Sequence, residues 1–195
     1  MNKNLWPDDM EKENFRQLIH ASGIFIIFVN VFLSPVIAIL TCIAIVLFVE
    51  AIFRIDRNRK VFFFSTILRK CKRKEDEQGF VYFFVGIILT LYLFKFNIAI
   101  ANAAIIIFLF GDSASTIFGK RFGKTHLPFN KKKTIVGTSA FFIVALIGAS
   151  TQLPLVPALI GALCGAITEA YSPIDDNIPI PVIAGIAMSL AVYLI

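Results

Sequence analysis

Charged residues make up only 16% of this 195-residue chain; cysteine occurs three times, histidine twice and tryptophan once. Each scarcity excludes something. Cys42, Cys71 and Cys164 are odd in number, scattered, and without metal or redox spacing relative to His20 or His126, so neither a disulfide framework nor a zinc site is suggested. No repeat recurs at a period of about 20 to 50 residues, which argues against a solenoid or propeller. No Pro-, Ser- or Gly-rich linker divides the sequence. The amino terminus lacks the basic start of a cleaved signal peptide, since Asp8, Asp9, Glu11 and Glu13 stand there.

What is abundant is apolar: 57% of residues, 21 of them phenylalanine, with a mean hydropathy of +0.80. That composition lies outside the soluble globular range and predicts an integral membrane protein with one membrane domain over 1–195. Seven apolar segments, 20–33, 36–53, 80–94, 96–118, 137–151, 154–170 and 179–195, account for nearly all of it, so the expected fold is an all-α polytopic bundle of about seven helices. Segments 137–151 and 154–170 fall short of the ~20 residues of a full crossing, and a re-entrant hairpin over 137–170 would leave five helices. Residues 1–16 form a short arm.

The 19 Lys and Arg residues are unevenly placed: three before the first segment, nine from Arg54 to Lys74, Lys95 alone, and six from Lys120 to Lys133. With seven spans, 18 of the 19 share one face, which the positive-inside rule makes cytoplasmic, together with the arm. The acidic stretch YSPIDDNIP joins that face, and a re-entrant hairpin would not move it. The run from Arg54 to Lys74 is explained by attraction to anionic headgroups alone.

Within FGDSASTIFGKRFGKT, Asp112 lies eight residues inside the first loop cation, about 12 Å from Lys120 along a helix. A carboxylate so close to the bilayer interior is costly unless paired, and fits a proton relay, an ion path, a metal ligand or a helix end satisfied by lysine. Ser113, Ser115 and Thr116 add hydroxyls, and Gly111, Ala114 and Gly119 keep this helix end narrow. In GKRFGKT, Gly119 and Gly123 with Lys120 and Lys124 suit a nest of backbone N–H groups around phosphate oxygens. It is not a Walker loop: three residues separate the glycines where four are needed, and an apolar helix precedes it. The same two glycines have GxxxG spacing, but Lys120 and Arg121 between them argue against a helix interface in lipid; Gly161 and Gly165 in GALCG suit packing better.

In EAYSPIDDNIPIP, Glu169 ends an apolar segment, and Asp175, Asp176 and Asn177 follow in one short loop. Such hard oxygen ligands suit Mg²⁺, although Asp and Asn in a turn also bond their own backbone. Arg16 with His20, and Glu50 with Arg54, sit at i, i+4 spacing on helix ends. His20 fits either a general base or a hydrogen-bonded structural histidine, and His126 lies in an open loop. Carboxylates, hydroxyls and cations gathered on one membrane face suit a metal-bound nucleoside triphosphate met from the side by a lipid acceptor.

The strings FRQLIHASG (15–23), FVEAIFR (48–54), GFVYFFVG (79–86), GDSASTIFGKRFGKT (111–125), KKTIVGTSA (132–140) and EAYSPIDDNIPIP (169–181) together resemble the membrane family of dolichol kinase, phytol kinase and CTP-dependent diacylglycerol kinase, itself more distantly similar to phosphatidate cytidylyltransferase. The resemblance implies γ-phosphate transfer from CTP to a lipid alcohol with Mg²⁺, and a polyprenol or dolichol acceptor is expected ahead of diacylglycerol or phytol. It implies catalytic roles for Asp112, Lys133, Glu169, Asp176 and His20. Ser113, Ser115, Gly119, Lys120, Gly123, Lys124, Thr134 and Asn177 would bind nucleotide or phosphate, and Asp112, Asp175 and Asp176 would hold the metal. The implied partners are CTP, the lipid alcohol and the surrounding lipids, with no nucleic acid. Val136 departs from the pattern, in which members commonly carry glutamate. Two other readings are a cytidylyltransferase, betrayed by pyrophosphate in place of CDP, and a small ion- or proton-coupled transporter, which would move its substrate without consuming nucleotide.

Overall fold

The computed structural model describes residues 17, 20, 22–58, 79–173 and 175–194. The arm over 1–16, Arg16 and most of the basic stretch between Arg54 and Lys74 lie outside the described residues. Among the described residues the chain forms seven helices: α1 (Ile24–Phe32), α2 (Pro35–Asn58), α3 (Gly79–Leu93), α4 (Ile98–Phe122), α5 (Ile135–Ala149), α6 (Leu155–Tyr171) and α7 (Pro179–Leu194). They correspond one to one with the apolar segments. Their starts follow local chemistry. Ser34 Oγ accepts from Ile37 N at 3.1 Å with Pro35 as the first helical residue of α2, Asn97 caps α4 through Ile100 N at 3.2 Å, and Thr134 caps α5 through Gly137 N at 3.1 Å.

Two stretches, Pro35–Ile52 and Ile98–Phe122, are long and apolar enough to cross a membrane, and they differ in setting: 78% of the second is buried and 11% of the first. α4 is therefore the central helix, in contact with α1, α3, α5, α6 and α7, while α2 lies outside against α1 and α3. Around α4 the neighbours run α1, α3, α7, α6, α5, with α2 packed outside between α1 and α3. Small residues permit this closeness. Gly111 and Gly165 face the ring of Phe141, and Gly161 faces Met188 and Ile107, so the expected packing role of GALCG is what the structure shows.

Gly119 and Gly123 are packed too, against Thr134 and Gly137 at the crossing of α4 and α5, which corrects the expectation that the flanking cations would keep them out of an interface. Lys120 and Arg121 are exposed while Gly119 turns inward, since neighbours in a helix point about 100° apart.

Two ends of the bundle can be told apart. Asn102, near the start of α4, donates to Gln152 in the α5–α6 turn at 3.4 Å, which puts that turn at one end. At the other end α5 begins beside Gly119 and Gly123, α6 brings Glu169 beside Ser115, and α4 runs on past Asp112 to Phe122. The last turns of α4, the start of α5 and the end of α6 therefore lie together at that end.

Candidate functional site

Asp112 follows an irregularity in α4. Residues Ile107–Gly111 form a π-helical segment that ends where Asp112 begins the final α-helical stretch, and Asp112 N donates to Phe108 O. An inserted residue of this kind turns the side chains beyond it relative to those before it, and π-bulges gather at functional sites. Asp112 is thereby turned inward, 8% exposed, with its Oδ2 3.7 Å from His20 Nδ1. The His20 ring lies against Phe83 at a centroid distance of 4.2 Å and against Phe108 at 5.5 Å.

Glu169, two residues before the end of α6, is the most enclosed acid of the group, its side chain 0% exposed. Its Oε1 accepts from Ser115 Oγ at 2.5 Å and Lys133 Nζ at 2.6 Å, and its Oε2 from Thr138 Oγ1 at 3.4 Å. Lys133 Nζ also reaches Asp176 Oδ2 at 2.8 Å. Carboxylate oxygens of Asp112, Glu169 and Asp176 all lie within 4.8 Å of one another.

Lys133 arrives there because the basic loop is a narrow hairpin. Ile135 N donates to Thr125 O and Leu127 N to Lys133 O, each at 3.0 Å, and His126 pairs with Thr134 in an antiparallel bridge. Asn130 fastens its tip: Nδ2 donates to Ala170 O at 2.9 Å, next to Glu169, and Oδ1 accepts from Lys132 N at 3.1 Å. Lys131 and Lys132 stay exposed while Lys133 turns in.

Burial by itself would lower the Lys133 pKa, but the carboxylates of Asp176, Glu169 and Asp112 outweigh it and raise it above the ordinary 10.5. The ammonium is therefore charged throughout the neutral range. For a group whose pKa is raised on folding, the stabilisation is complete below 10.5 and is lost as pH climbs past it. The difference in melting temperature between wild type and Lys133→Met should be flat from about pH 6 to 9 and shrink above 10.5.

The donor set fits a hard divalent cation. Three carboxylates and one ammonium leave a formal charge of −2, the oxygens already converge, and Ser115 and Thr138 supply hydroxyls around them. The acidic cluster differs from the expected metal ligands by one residue. Asp175 Oδ1 accepts Asn177 N at 3.1 Å and holds the turn, and Glu169, expected as catalytic, completes the cluster with Asp112 and Asp176. Asp175 takes the turn because a side chain two residues before an N–H can close a ring with it.

The remaining expected phosphate ligands are distributed as follows. Ser115 is in the cluster, and Ser113 Oγ donates to Leu109 O at 2.7 Å within α4. The Thr134 hydroxyl caps α5. No nest forms at Gly119 and Gly123: no described glycine has positive φ, Gly123 sits at φ −73°, and its N–H is bonded to Gly119 O at 2.9 Å. Lys120 and Lys124 are exposed. The Asn177 backbone lies against Gly86 of α3.

Sequence reasoning missed Thr138, Asn130, Phe83, Phe108 and the use of Gly86. Gly86 had a signal in GFVYFFVG, a glycine inside a strongly apolar helix. A Cβ there would collide with Asn177 O, so Gly86→Ala must displace the acidic loop. We expect a stability loss of about 1–3 kcal/mol, read as a fall in melting temperature, and weaker divalent binding.

No family model matches the chain, and no solved structure does. The uncharacterized protein MJ1137 of Methanocaldococcus jannaschii is 32% identical over 182 residues, covering 88% of this chain and 90% of its own. A Triticum aestivum protein named "Probable phytol kinase, chloroplastic" is 28% identical over 135 residues, and an Oryza sativa subsp. japonica protein named "Probable phytol kinase 1, chloroplastic" is 24% identical over 149. The chain spans 45% and 46% of the length of these two plant relatives.

Proposed function

Because the chain belongs to the family of the M. jannaschii protein MJ1137 and is distantly similar to plant phytol kinases, we propose that it is a lipid-alcohol kinase that lies in the membrane and transfers the γ-phosphate of CTP to an isoprenoid alcohol of the polyprenol or dolichol type. The observation that carries this reading is the meeting of Asp112, Glu169 and Asp176 around Lys133. A scaffold has no use for three clustered acids in an apolar interior, and a kinase does.

The membrane setting rests on the surface as well as on helix length. Phe25, Phe28 and Phe32 on α1 and Leu40, Leu47 and Phe48 on α2 are all more than half exposed, an apolar exterior that water would not tolerate over such an area. Seven crossings would put the hairpin, the acidic turn and the basic stretches on the cytoplasmic face, where CTP is available.

In the reaction the acceptor hydroxyl oxygen forms a bond to the γ-phosphorus, the bond from that phosphorus to the β–γ bridging oxygen breaks, and CDP leaves. Asp112, Glu169 and Asp176 would hold Mg²⁺, which when bound neutralises phosphate charge and orients the triphosphate. Ser115 and Thr138 fix the Glu169 carboxylate from both sides. Lys133, tethered by the Asn130-pinned hairpin, offers its charge to the transferred phosphoryl oxygens. Lys120 and Lys124 meet the outer phosphates as the nucleotide enters. His20, facing Asp112 and clamped between Phe83 and Phe108, accepts the proton of the hydroxyl. The alcohol approaches from the bilayer, so its chain never leaves lipid.

Membranes containing the protein, given γ-labelled CTP or ATP, Mg²⁺ and a panel of polyprenol, dolichol, phytol and diacylglycerol, test this directly. A labelled lipid formed from CTP and lost in Asp112→Asn is the expected result. Pyrophosphate released on addition of a lipid phosphate, with no labelled alcohol, would replace it with the cytidylyltransferase.

A further inference from the structure

At the end of the bundle away from the carboxylates, three amides meet in apolar surroundings. Asn30 of α1 and Asn102 of α4 are each 1% exposed, and Asn30 Nδ2 donates to Asn102 Oδ1 at 2.7 Å. Asn102 Nδ2 donates on to Gln152 Oε1 at 3.4 Å, and Gln152 Nε2 to Thr151 Oγ1 at 3.2 Å. The reaction proposed above uses none of them.

Their spacing relates them to the site. Asn30 is ten residues beyond His20, and Asn102 is ten residues before Asp112, on helices running in opposite directions. The pair Asn30–Asn102 joins α1 to α4, and the pair His20–Asp112 joins the residues just before α1, across the turn at Gly23, to α4, about 15 Å further along α4. Between the two pairs Gly23 lies against Leu109 and Phe83, so the helices touch along the interval. Gln152 brings in the third element: its turn joins α5, which starts after Lys133, to α6, which ends beside Glu169.

We propose that Asn30, Asn102 and Gln152 are positioning residues, a brace that sets the register of α1, α4 and the α5–α6 pair and so fixes His20, Asp112 and Glu169 relative to one another. Without it, register would rest on apolar contacts of Ile26, Ile27 and Val29, which are non-directional and tolerate a slide. An amide pair in an apolar interior is directional and costly to break, and a buried polar residue that specifies register is the best-attested use of such a group. One residue of slip moves a helix by about 1.5 Å, enough to part His20 from Asp112.

The positioning role rests on the phosphotransfer reading, but the geometry beneath it does not, and the test separates the two. The chain has only two histidines, so ¹³C,¹⁵N-histidine-labelled protein in micelles gives two sets of imidazole resonances. Those of His20 are ring-current shifted by Phe83 and Phe108, and those of exposed His126 serve as the internal control. Asn30→Leu/Asn102→Leu replaces both partners with apolar groups of similar size, a change that can leave stability nearly intact. Asn30→Ala is the second variant, keeping the Asn102–Gln152 bond.

In folded protein of either kind, the His20 resonances should move toward random-coil positions while those of His126 stay. In the phosphotransfer assay kcat should fall about 10- to 100-fold with KM for CTP unchanged, and the loss should vanish in a His20→Ala background. Unmoved His20 resonances overturn the brace whatever the activity. Failure of both variants to fold assigns the amides to stability and also overturns it. Moved resonances in a protein whose wild type transfers no phosphate would sustain the brace and sink the kinase.

Discussion

Glu169→Gln should lower phosphotransfer by about 10²–10³-fold or more while leaving the protein folded, because glutamine keeps the shape of the side chain and removes its charge. The glutamine carbonyl can still accept from Ser115 and Lys133, which now approach Oε1 at 2.5 and 2.6 Å. Its amide nitrogen, however, cannot accept from Thr138, and a carboxamide holds a divalent cation far less strongly than a carboxylate does. The formal charge of the cluster falls from −2 to −1, so Mg²⁺ binding should weaken along with kcat. Steady-state rates at rising Mg²⁺ read both. A variant that recovers fully at high Mg²⁺ has lost only affinity, and one that does not has lost the orientation of the triphosphate. Unchanged rates at all Mg²⁺ concentrations would remove Glu169 from the site.

That Glu169 is the enclosed member of the cluster could not be read in the sequence. All three acids could be named, because a carboxylate next to a long apolar run stands out against composition alone. The helices were legible for the same reason: seven apolar runs, punctuated by Ser34–Pro35, Asn97 and Thr134, admit few other partitions. Asp175 and Asp176 were both expected to hold the metal; that Asp175 instead closes a two-residue turn with Asn177 N is a matter of φ and ψ that the dipeptide does not reveal. The glycines of GKRFGKT misled because a small residue serves an anion nest and a helix crossing equally well. The contacts at Thr134 and Gly137 decide it, and they lie more than ten residues away. The π-helical segment before Asp112 left no trace in residue type, since Ile107, Phe108 and Leu109 suit any buried helix.

Lys133→Met should have two opposed effects that together identify what the cluster is for. The ammonium now lies 2.6 Å from Glu169 and 2.8 Å from Asp176. Removing it leaves three carboxylates within 4.8 Å and a formal charge of −3. Breaking a fully buried pair costs about 3–5 kcal/mol; with the Lys133 side chain 25% and Asp176 30% exposed, water softens this, and about 1–3 kcal/mol is the expected loss without metal. Mg²⁺ or Mn²⁺ should then raise the melting temperature of the variant by more than that of wild type, because the added ion meets a site of higher charge and does not compete with an ammonium. Activity should not return with stability. If Lys133 offers its charge to the transferred phosphoryl group, phosphotransfer in the metal-saturated variant stays about 10²-fold or more below wild type. A metal that restores both would make Lys133 a structural counter-ion only. A melting temperature insensitive to divalent ions in both proteins would mean that the acids pair with the lysine and bind no metal, and the proposed chemistry would lose its centre.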